Sequence, residues 1–388
     1  MRIRGRDRIS FLPDEIIGHI LSFLPTKYAV QTSVLSMRWQ YLWTFITSFD
    51  FKDDISDERN PACVARRILT CCSSKMINKF SLTLNSYICT LCLDACIDEL
   101  CKRNVCELRL EGLLLNHCIF AWKTLTALDL KSNVIVLDTE DIPTFDLPKL
   151  KKLRTHLFYP SSDLSEKLFS SCPVLEDLTI EGTVRSETKF NLSCPLLKRL
   201  KIQLQAWDFE GLKYKFVINA PNLKYLELID MFKAEYVVEN LTSVVEAKLN
   251  MRQGAADEIF GNLAAELLWA FRNLQSLSMD EDCLAVLNDP GRRDLPTFKD
   301  MKRLELFFND YSDQEMIAPL LNVCPNLESL ILFESFAEGE KSRAHQRYME
   351  TCGLELVPIN VMGLKIFLLE VVISVMAPRI NSSQTRPS

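Results

Sequence analysis

The chain reads Leu175-Glu176-Asp177-Leu178-Thr179-Ile180, and the same spacing of apolar residues returns as LKRLKI at 197–202, LKYLEL at 223–228 and LESLIL at 327–332. In each copy apolar residues occupy the first, fourth and sixth positions, and the final alternation is typical of a half-buried β-strand. Weaker copies are centred on Leu82, Leu108, Leu128, Leu153, Ala247, Leu277 and Leu304. Successive centres lie about 25 residues apart, so the sequence predicts an array of similar stacked units.

A leucine pattern with this period is typical of leucine-rich repeats. The predicted fold class is therefore α/β: a solenoid in which short strands form one wall and return segments form the other, from residue 77 to residue 335. Asp163 with Glu166, and Ser312 with Glu315, have capping-box spacing, and residues 258–271 have helical periodicity, so several returns are expected to be helical. The units lack the regular asparagine of the better-known repeat, which makes the curvature less predictable.

The residue between the last two apolar positions of each unit points outward, onto the concave face of the sheet. Most of these residues are charged and their signs are mixed, which suits a protein or peptide better than a phosphate backbone. The candidates for target binding are Arg109, Asp129, Arg154, Lys201, Glu227, Lys248 and Glu305. At any single position a solvated face without a ligand is the simpler interpretation. The extended concave surface as a whole favours binding.

The composition argues against several classes of function. The chain has 11 glycines among 388 residues, and none has the spacing of a phosphate-binding loop. It has four histidines, so few residues are candidates for imidazole catalysis. Its net charge is −6, whereas a nucleic-acid-binding surface would be basic. We therefore expect neither an enzyme nor a cofactor, and no nucleic-acid partner.

The densest group of cysteines gives no clear metal site. It consists of Cys89, Cys92, Cys96, Cys101 and Cys106. A structural zinc site needs a second closely spaced pair of ligands, and none follows at a suitable distance. Buried thiols on a return helix are the better interpretation, and we expect no bound metal.

The sequence also suggests where the protein acts. The charged N-terminus is not followed by an apolar run, as a secretory signal would require, so the nucleus or the cytoplasm is expected, with the 14 cysteines mostly reduced. The longest apolar stretch, residues 364–377, contains Lys365 and Glu370 and is too short to span a bilayer. No membrane association is expected.

Residues 9–45, the N-terminal helical region, carry more apolar residues than they can bury. Pro13 suits the first turn of a helix, and Asp14 and Glu15 favour the positive end of its dipole. The apolar residues of this helix cover two adjoining faces instead of one. A segment of this size cannot bury both faces by itself, so the surplus face predicts a partner.

This region resembles the F-box of plant F-box/leucine-rich-repeat proteins. The resemblance rests on Asp7-Arg8-Ile9-Ser10-x-Leu12-Pro13-Asp14-x-Ile16, on residues 20–27, and on Thr32-Ser33-Val34-Leu35-Ser36, Arg38-Trp39 and Leu42-Trp43. It implies a small all-α motif of three helices that docks on a Skp-type adaptor and, through it, on a cullin-RING ubiquitin ligase. By position, the adaptor-binding residues would be Leu12, Pro13, Ile16, Ile17, Ile20, Leu21, Val30, Leu35, Trp39 and Leu42.

The resemblance implies a substrate-recognition subunit of an SCF-type ubiquitin ligase, with the repeats holding a protein target whose identity the sequence does not give. The alternative is a leucine-rich-repeat scaffold or ligand sensor with a vestigial F-box. The predicted domains are a basic arm (1–8), an F-box (9–52), a connecting segment (53–76), the solenoid (77–335) and a C-terminal segment (336–388). The C-terminal segment resembles the start of an FBD-type domain that is curtailed.

Overall fold

The computed structural model describes most of the repeat array and the N-terminal helical region. The described residues are 8–52, 61–84, 90–112, 117–135, 144–158, 160–184, 188–206, 214–230, 234–239, 241–251, 267–271, 273–280, 283–284, 295–308, 317–334, 357–361 and 364–368.

The strands occur throughout the chain. In chain order they are β1 (Ser48–Lys52), β2 (Met76–Thr83), β3 (Asn104–Glu111), β4 (Ala127–Ile135), β5 (Lys152–Phe158), β6 (Asp177–Val184), β7 (Lys189–Ser193), β8 (Arg199–Ala206), β9 (Tyr214–Asn219), β10 (Tyr225–Asp230), β11 (Ala234–Glu239), β12 (Glu246–Met251), β13 (Ser276–Asp280), β14 (Arg303–Phe308), β15 (Ser329–Glu334), β16 (Val357–Val361) and β17 (Leu364–Leu368). The α-helices are α1 (Asp14–Leu21), α2 (Thr26–Gln31), α3 (Pro61–Cys71), α4 (Thr90–Cys101), α5 (Ser162–Ser170) and α6 (Ile317–Asn322). Shorter 3-10 helices cover Ile9–Phe11, Thr32–Val34, Trp39–Phe45 and His117–Ala121.

Twelve strands form one parallel sheet, in the order β1-β2-β3-β4-β5-β6-β8-β10-β12-β13-β14-β15. Neighbouring repeats pair in register, so that the apolar centre of one repeat lies opposite the apolar centre of the next, as Leu178 does with Leu200 and Leu200 with Leu226. These leucines are fully buried and belong to one continuous core. The predicted α/β solenoid is confirmed.

The sheet begins earlier than the predicted domain boundaries. β1 pairs with β2 and buries Phe49 and Phe51, although its residues fall in the range predicted for the F-box. Helix α3 then lies in the predicted connecting segment and packs on α4, so it serves as a return helix. The leucine pattern could not reveal this first unit, because phenylalanines occupy its inward positions.

The register of the next unit also differs from its prediction. Leu108 lies opposite Phe80, and Leu82 lies opposite Leu110. The concave residue in line with Arg109 is therefore Ser81, not the residue after Leu82. Phe80 and Leu82 are both buried on the same face, and the sequence pattern alone cannot decide between two such centres.

The returns are more varied than the sequence suggests. Helix α5 is confirmed, but its N-cap is Ser161, whose Oγ accepts a hydrogen bond from the Leu164 N–H at 3.2 Å, and not the predicted Asp163 pair. Three other returns are strands, which form a second parallel sheet in the order β11-β9-β7. Ser312, Glu315 and most of residues 258–271 lie outside the described residues, although residues 267–270 are helical.

Side-chain amides join neighbouring repeats. Asn222, Asn273 and Asn326 each donate a hydrogen bond, at 2.8 Å, to a backbone carbonyl of the preceding repeat. The acceptors are Pro195, Thr242 and Lys299. These asparagines precede their strands, unlike the asparagine of the better-known repeat, so the sequence analysis missed them.

At the C-terminal end, β16 and β17 form an antiparallel hairpin. The predicted curtailed domain otherwise lies outside the described residues. Among the described helices, none is long and apolar enough to cross a membrane.

Candidate functional site

Helix α1 has one inward and one outward apolar face. It begins directly after Pro13, with Asp14 and Glu15 in its first turn as predicted. Ile17 and Leu21 lie four residues apart and are buried, whereas Ile16 and Ile20 are 47% and 44% exposed. The inward face packs against the 3-10 helix of residues 39–45. The outward face has no covering element within the described chain.

The N-terminal helical region is held firmly on the start of the sheet. Thr26 Oγ1 accepts a hydrogen bond from the Asp50 N–H at 2.8 Å, and Ser22 Oγ accepts one from the Thr47 N–H at 3.0 Å. A Cβ added at Gly18 would lie 2.6 Å from the Phe45 Cβ, so only glycine allows the two helices to approach this closely. The outward face therefore has a fixed position relative to the repeats.

Arg38 connects two segments of the N-terminal helical region. Its guanidinium forms an ion pair with Asp14 at 2.8 Å and donates a hydrogen bond to the Leu12 carbonyl. This contact connects the segment just before the 3-10 helix of residues 39–45 to the start of α1.

Exposed apolar side chains are concentrated in this region. Of the 15 large hydrophobic side chains that are exposed among the described residues, 12 lie between residues 9 and 45. They are Ile9, Phe11, Ile16, Ile20, Phe23, Leu24, Tyr28, Val34, Leu35, Met37, Tyr41 and Phe45. Such a concentration is typical of a protein-binding surface.

The predicted adaptor-binding residues fall into three groups. Pro13, Ile16, Ile20 and Leu35 are exposed, while Leu12, Val30 and Trp39 are half-buried.

Ile17, Leu21 and Leu42 require a correction, because their side chains are buried in the core and do not reach the surface. They were included because the resemblance assigns residues by position, which does not show which apolar side chains point inward. Other exposed residues extend this surface and were not among the predicted ones, such as Phe11, Phe23 and Val34.

The predicted target-binding residues all lie in one row across the concave face. The row runs through Asp50, Ser81, Arg109, Asp129, Arg154, Thr179, Lys201, Glu227, Lys248, Ser278, Glu305 and Ile331, each opposite the next. All seven predicted residues are at least partly exposed. The structure thus brings them onto one face, and their role in binding stays a prediction.

Three of them line a pocket of about 310 Å³, the concave pocket, which extends over β2 to β6. Its lining residues are Lys79, Glu107, Leu108, Arg109, Ala127, Leu128, Asp129, Lys152, Leu153, Arg154, Asp177 and Thr179. The side chains of its leucines are buried in the core beneath the sheet, and charged side chains of both signs surround the pocket. Its volume is at the lower end of ligand-binding pockets.

Asp129 is the most constrained side chain of this pocket. Its Oδ2 lies 3.7 Å from Arg109 Nε, and its Oδ1 is buried with no hydrogen-bond partner among the described residues. Burial raises the pKa of the Asp129 carboxyl, although Arg154 and Arg109 act in the opposite direction. Arg154 itself forms a 2.5 Å ion pair with Glu181.

A second polar cluster lies further along the row. Glu227 accepts hydrogen bonds from the Tyr225 hydroxyl at 2.6 Å and from Lys201 Nζ at 3.0 Å. Burial acts to raise the pKa of Glu227, but these two hydrogen bonds and the positive charges of Lys201 and Lys248 together outweigh it and lower the pKa. The guanidinium of Arg199 stacks 4.3 Å from the centre of the Tyr225 ring. These contacts satisfy the cluster internally, so it rigidifies the row.

The cysteines show no arrangement for metal binding within the described residues, where no group of three or more potential ligands converges. In the predicted cysteine group, Cys96 is fully buried, and burial raises the pKa of its thiol to about 12. Cys89 and the side chain of Cys92 lie outside the described residues. Among the described residues, Cys63 is disulfide-bonded and nine other cysteines form no disulfide, which is compatible with mostly reduced thiols.

Comparisons with known proteins agree with this division. Residues 9–48 match the family model described as F-box domain, and residues 93–248 match the model of the leucine-rich repeats of the FBD-associated F-box protein At5g56370. The Arabidopsis thaliana F-box/LRR-repeat protein At4g14103 is 32% identical to this chain over 355 residues, covering 84% of the chain and 91% of the relative. The chain belongs to the F-box/LRR-repeat family.

Other Arabidopsis thaliana relatives of this F-box/LRR-repeat protein cover a similar share of the chain. F-box/LRR-repeat protein At3g59200 is 32% identical over 90% of the chain and 71% of its own length. The F-box/FBD/LRR-repeat protein At5g22700 is 30% identical over 88% of the chain and 82% of its own length. The exposed apolar surface therefore belongs to an F-box, and the concave row belongs to its repeat array.

Proposed function

We propose that this F-box/LRR-repeat protein is the substrate-recognition subunit of an SCF-type ubiquitin ligase. Its F-box would bind a Skp-type adaptor, and its concave face would bind a protein target. The protein itself would perform no chemistry, because positioning the target near the ubiquitin-transfer machinery of its partners is enough to accelerate transfer. Its place of action, in the nucleus or the cytoplasm, stays a prediction.

One observation carries the proposal: the concentration of exposed apolar side chains in residues 9–45, on helices that are otherwise well packed. A face that exposes Val34 at 85%, Leu35 at 65% and Ile20 at 44% is costly to leave in water. Its rigid attachment to β1 through Thr26 and Ser22 fits the second part of the proposal, since the adaptor and the target must be held at a defined separation.

The test is adaptor affinity measured with purified full-length protein. We expect the double substitution Ile20→Glu and Leu35→Glu to weaken adaptor binding by at least about 100-fold, because two apolar contact residues of about 2 kcal/mol each would be lost. Both side chains are exposed, so the thermal unfolding of the variant should stay close to that of the wild type.

A matched control places the same charges on apolar residues that are exposed elsewhere. Met76→Glu with Leu196→Glu should leave adaptor affinity unchanged, since these residues are 51% and 46% exposed outside the F-box. If the wild type binds no Skp-type adaptor, the proposal fails and the scaffold with a vestigial F-box becomes the better interpretation. If it binds, target ubiquitination should fall in the Ile20/Leu35 variant.

A further inference from the structure

The concave pocket opens at the edge of the sheet where the strands begin, and this edge is basic. The starts of β5, β8 and β10 and the loops before them contribute exposed cations that we call the basic edge. They are Lys149, Lys151, Lys198, Arg199 and Lys224. Glu176 interrupts them and forms ion pairs with Lys198 at 2.6 Å and with Lys151 at 3.4 Å. A local excess of cations in a chain with a net charge of −6 indicates that charge is segregated on this surface.

Charges inside the concave pocket are only partly compensated. Arg154 is paired with Glu181, and Arg109 lies between Asp129 at 3.7 Å and Glu111 at 3.5 Å. Glu111 is also paired with Lys131 at 3.6 Å, so these groups balance one another. Asp177 lies 4.0 Å from Arg199.

What is left after these pairs is a small positive charge. Within the described part of the chain, Lys79, Lys152 and Glu107 have no oppositely charged group at ion-pair distance, which gives a net charge of +1. A single carboxylate would balance it.

The concave pocket also has space for a ligand side chain next to Ala127. Lys79, Glu107, Ala127 and Lys152 lie in one row on adjacent strands. The methyl group of Ala127 leaves a gap between the longer side chains of Glu107 and Lys152. A short acidic side chain of a ligand can enter at this gap and be reached by Lys152 on the next strand. The long, flexible side chain of Lys79 can reach it past Glu107, which lies between Lys79 and Ala127.

Within the function proposed above, we propose that the concave pocket and the basic edge bind an unmodified acidic segment of the target protein. One Asp or Glu carboxylate of that segment sits over Ala127, within reach of Lys79 and Lys152, and neighbouring acidic residues follow the basic edge. A phosphorylated segment fits less well: a phosphate carries about −1.5 to −2 charges, and Glu107, Asp129 and Asp177 line the same pocket.

The experiment measures peptide binding to purified full-length protein by fluorescence anisotropy. The probe is a fluorescein-labelled peptide of alternating Glu and Gly, with two comparison peptides in which Gln or phosphoserine replaces Glu. The variant is Lys79→Glu with Lys152→Glu. Its matched control is Lys167→Glu with Lys189→Glu, on α5 and β7 of the convex wall, where both side chains are exposed.

We expect the Glu peptide to bind the wild type and the Gln peptide to bind much more weakly. The pocket variant should bind the Glu peptide at least about tenfold more weakly, because repulsion replaces attraction, and the convex control should bind it like the wild type. The proposal is overturned if the wild type does not bind the Glu peptide, if the convex control loses as much affinity as the pocket variant, or if the phosphoserine peptide binds more tightly than the Glu peptide.

Adaptor affinity of the same samples separates this inference from the function on which it rests. The pocket substitutions lie on β2 and β5 and not among the exposed apolar residues of the F-box, so they should leave adaptor binding unchanged. Retained adaptor binding without peptide binding refutes the acidic target alone. Absent adaptor binding in the wild type refutes the ligase role, whatever the peptide result.

Discussion

Arg103 joins three parts of the first repeats through one side chain. Its guanidinium donates hydrogen bonds to the carbonyls of Leu69 at 2.7 Å and Ser74 at 2.6 Å, at the end of α3 and beyond it. It also pairs with Glu99 of α4 at 3.1 Å, and it is 12% exposed. A cation at the C-terminus of a helix is favourable because it satisfies carbonyls that have no partner within the helix.

We expect Arg103→Ala to lower the free energy of unfolding by about 3 kcal/mol, because it leaves carbonyls and a carboxylate without their donor. Urea unfolding of the full-length protein measures this loss. Lys102→Ala is the matched control, since the neighbouring side chain is 70% exposed and pairs with the same Glu99, and it should cost less than about 0.5 kcal/mol. Equal effects of the two substitutions would show that the buried contacts of Arg103 contribute little.

The same contact has a pH dependence. Burial acts to raise the pKa of Glu99, but the hydrogen bonds and the positive charges of Arg103 and Lys102 together outweigh it and lower the pKa. A carboxyl whose pKa is lower in the folded state stabilises the fold above its unfolded pKa, and that contribution is lost as the pH falls through the folded value. The difference between wild type and Arg103→Ala should therefore shrink in acid, without vanishing, since the bonds to the carbonyls remain.

At the scale of elements, the middle repeats are held together by aromatic stacking on their outer wall. Phe190, Phe216 and Tyr236, from β7, β9 and β11, stack with ring centres 4.4 and 5.3 Å apart and nearly parallel planes. All three side chains are buried. Strands replace helices here because the returns β7 and β9 alternate buried and more exposed residues with a period of two.

Phe216 is the centre of this stack, and we expect Phe216→Ala to destabilise the protein by about 3–5 kcal/mol, as deletion of a buried aromatic ring does. Hydrogen exchange should show the loss first in β7, β9 and β11 and in their neighbours β8 and β10, because repeats mainly contact adjacent repeats. Phe216→Leu keeps part of the volume and should cost less. Uniform loss of protection over all strands would contradict this local picture.

These elements also show which features of the fold were predictable from the sequence. The inward leucines and the concave row were predictable, because a period of two fixes the facing of every residue once a strand is recognised. The strand returns were hidden, since their short alternations carry no leucine signature. The inward face of α1 was hidden as well: Ile16, Ile17, Ile20 and Leu21 are chemically alike, and only packing against the 3-10 helix of residues 39–45 distinguishes the buried pair.

For the whole molecule, the sheet is one structural unit from β1 to β15, and the F-box is attached to its first strand. The seven predicted target-binding residues were recognisable because the repeats remain in register over most of the sheet. The concave pocket was not, since it depends on where Ala127 interrupts a row of long side chains from neighbouring strands. Such a gap arises between repeats and has no signature within any one of them.

Long-range cohesion of the array also depends on the asparagines between repeats. Asn222, Asn273 and Asn326 are exposed, yet each donates a 2.8 Å hydrogen bond to the preceding repeat. In a solenoid, the free energy of unfolding is approximately the sum of the intrinsic stabilities of the repeats and of the interaction free energies between neighbouring repeats. These hydrogen bonds cross from one repeat to the next, so they contribute to the interaction free energies. Replacing all three by alanine should lower the free energy of unfolding by about 3 kcal/mol, at about 1 kcal/mol for each bond.

The same triple substitution should broaden the urea transition, because weaker interfaces allow repeats to unfold separately and reduce the apparent m-value. Asp300→Ala, an exposed change in the loop that contains the acceptor Lys299, serves as the control and should leave both the midpoint and the slope unchanged. A triple variant with a lower midpoint and an unchanged slope would mean that the array still unfolds as one unit. In that case the continuous leucine core alone is sufficient to couple the F-box end of the solenoid to its last repeat.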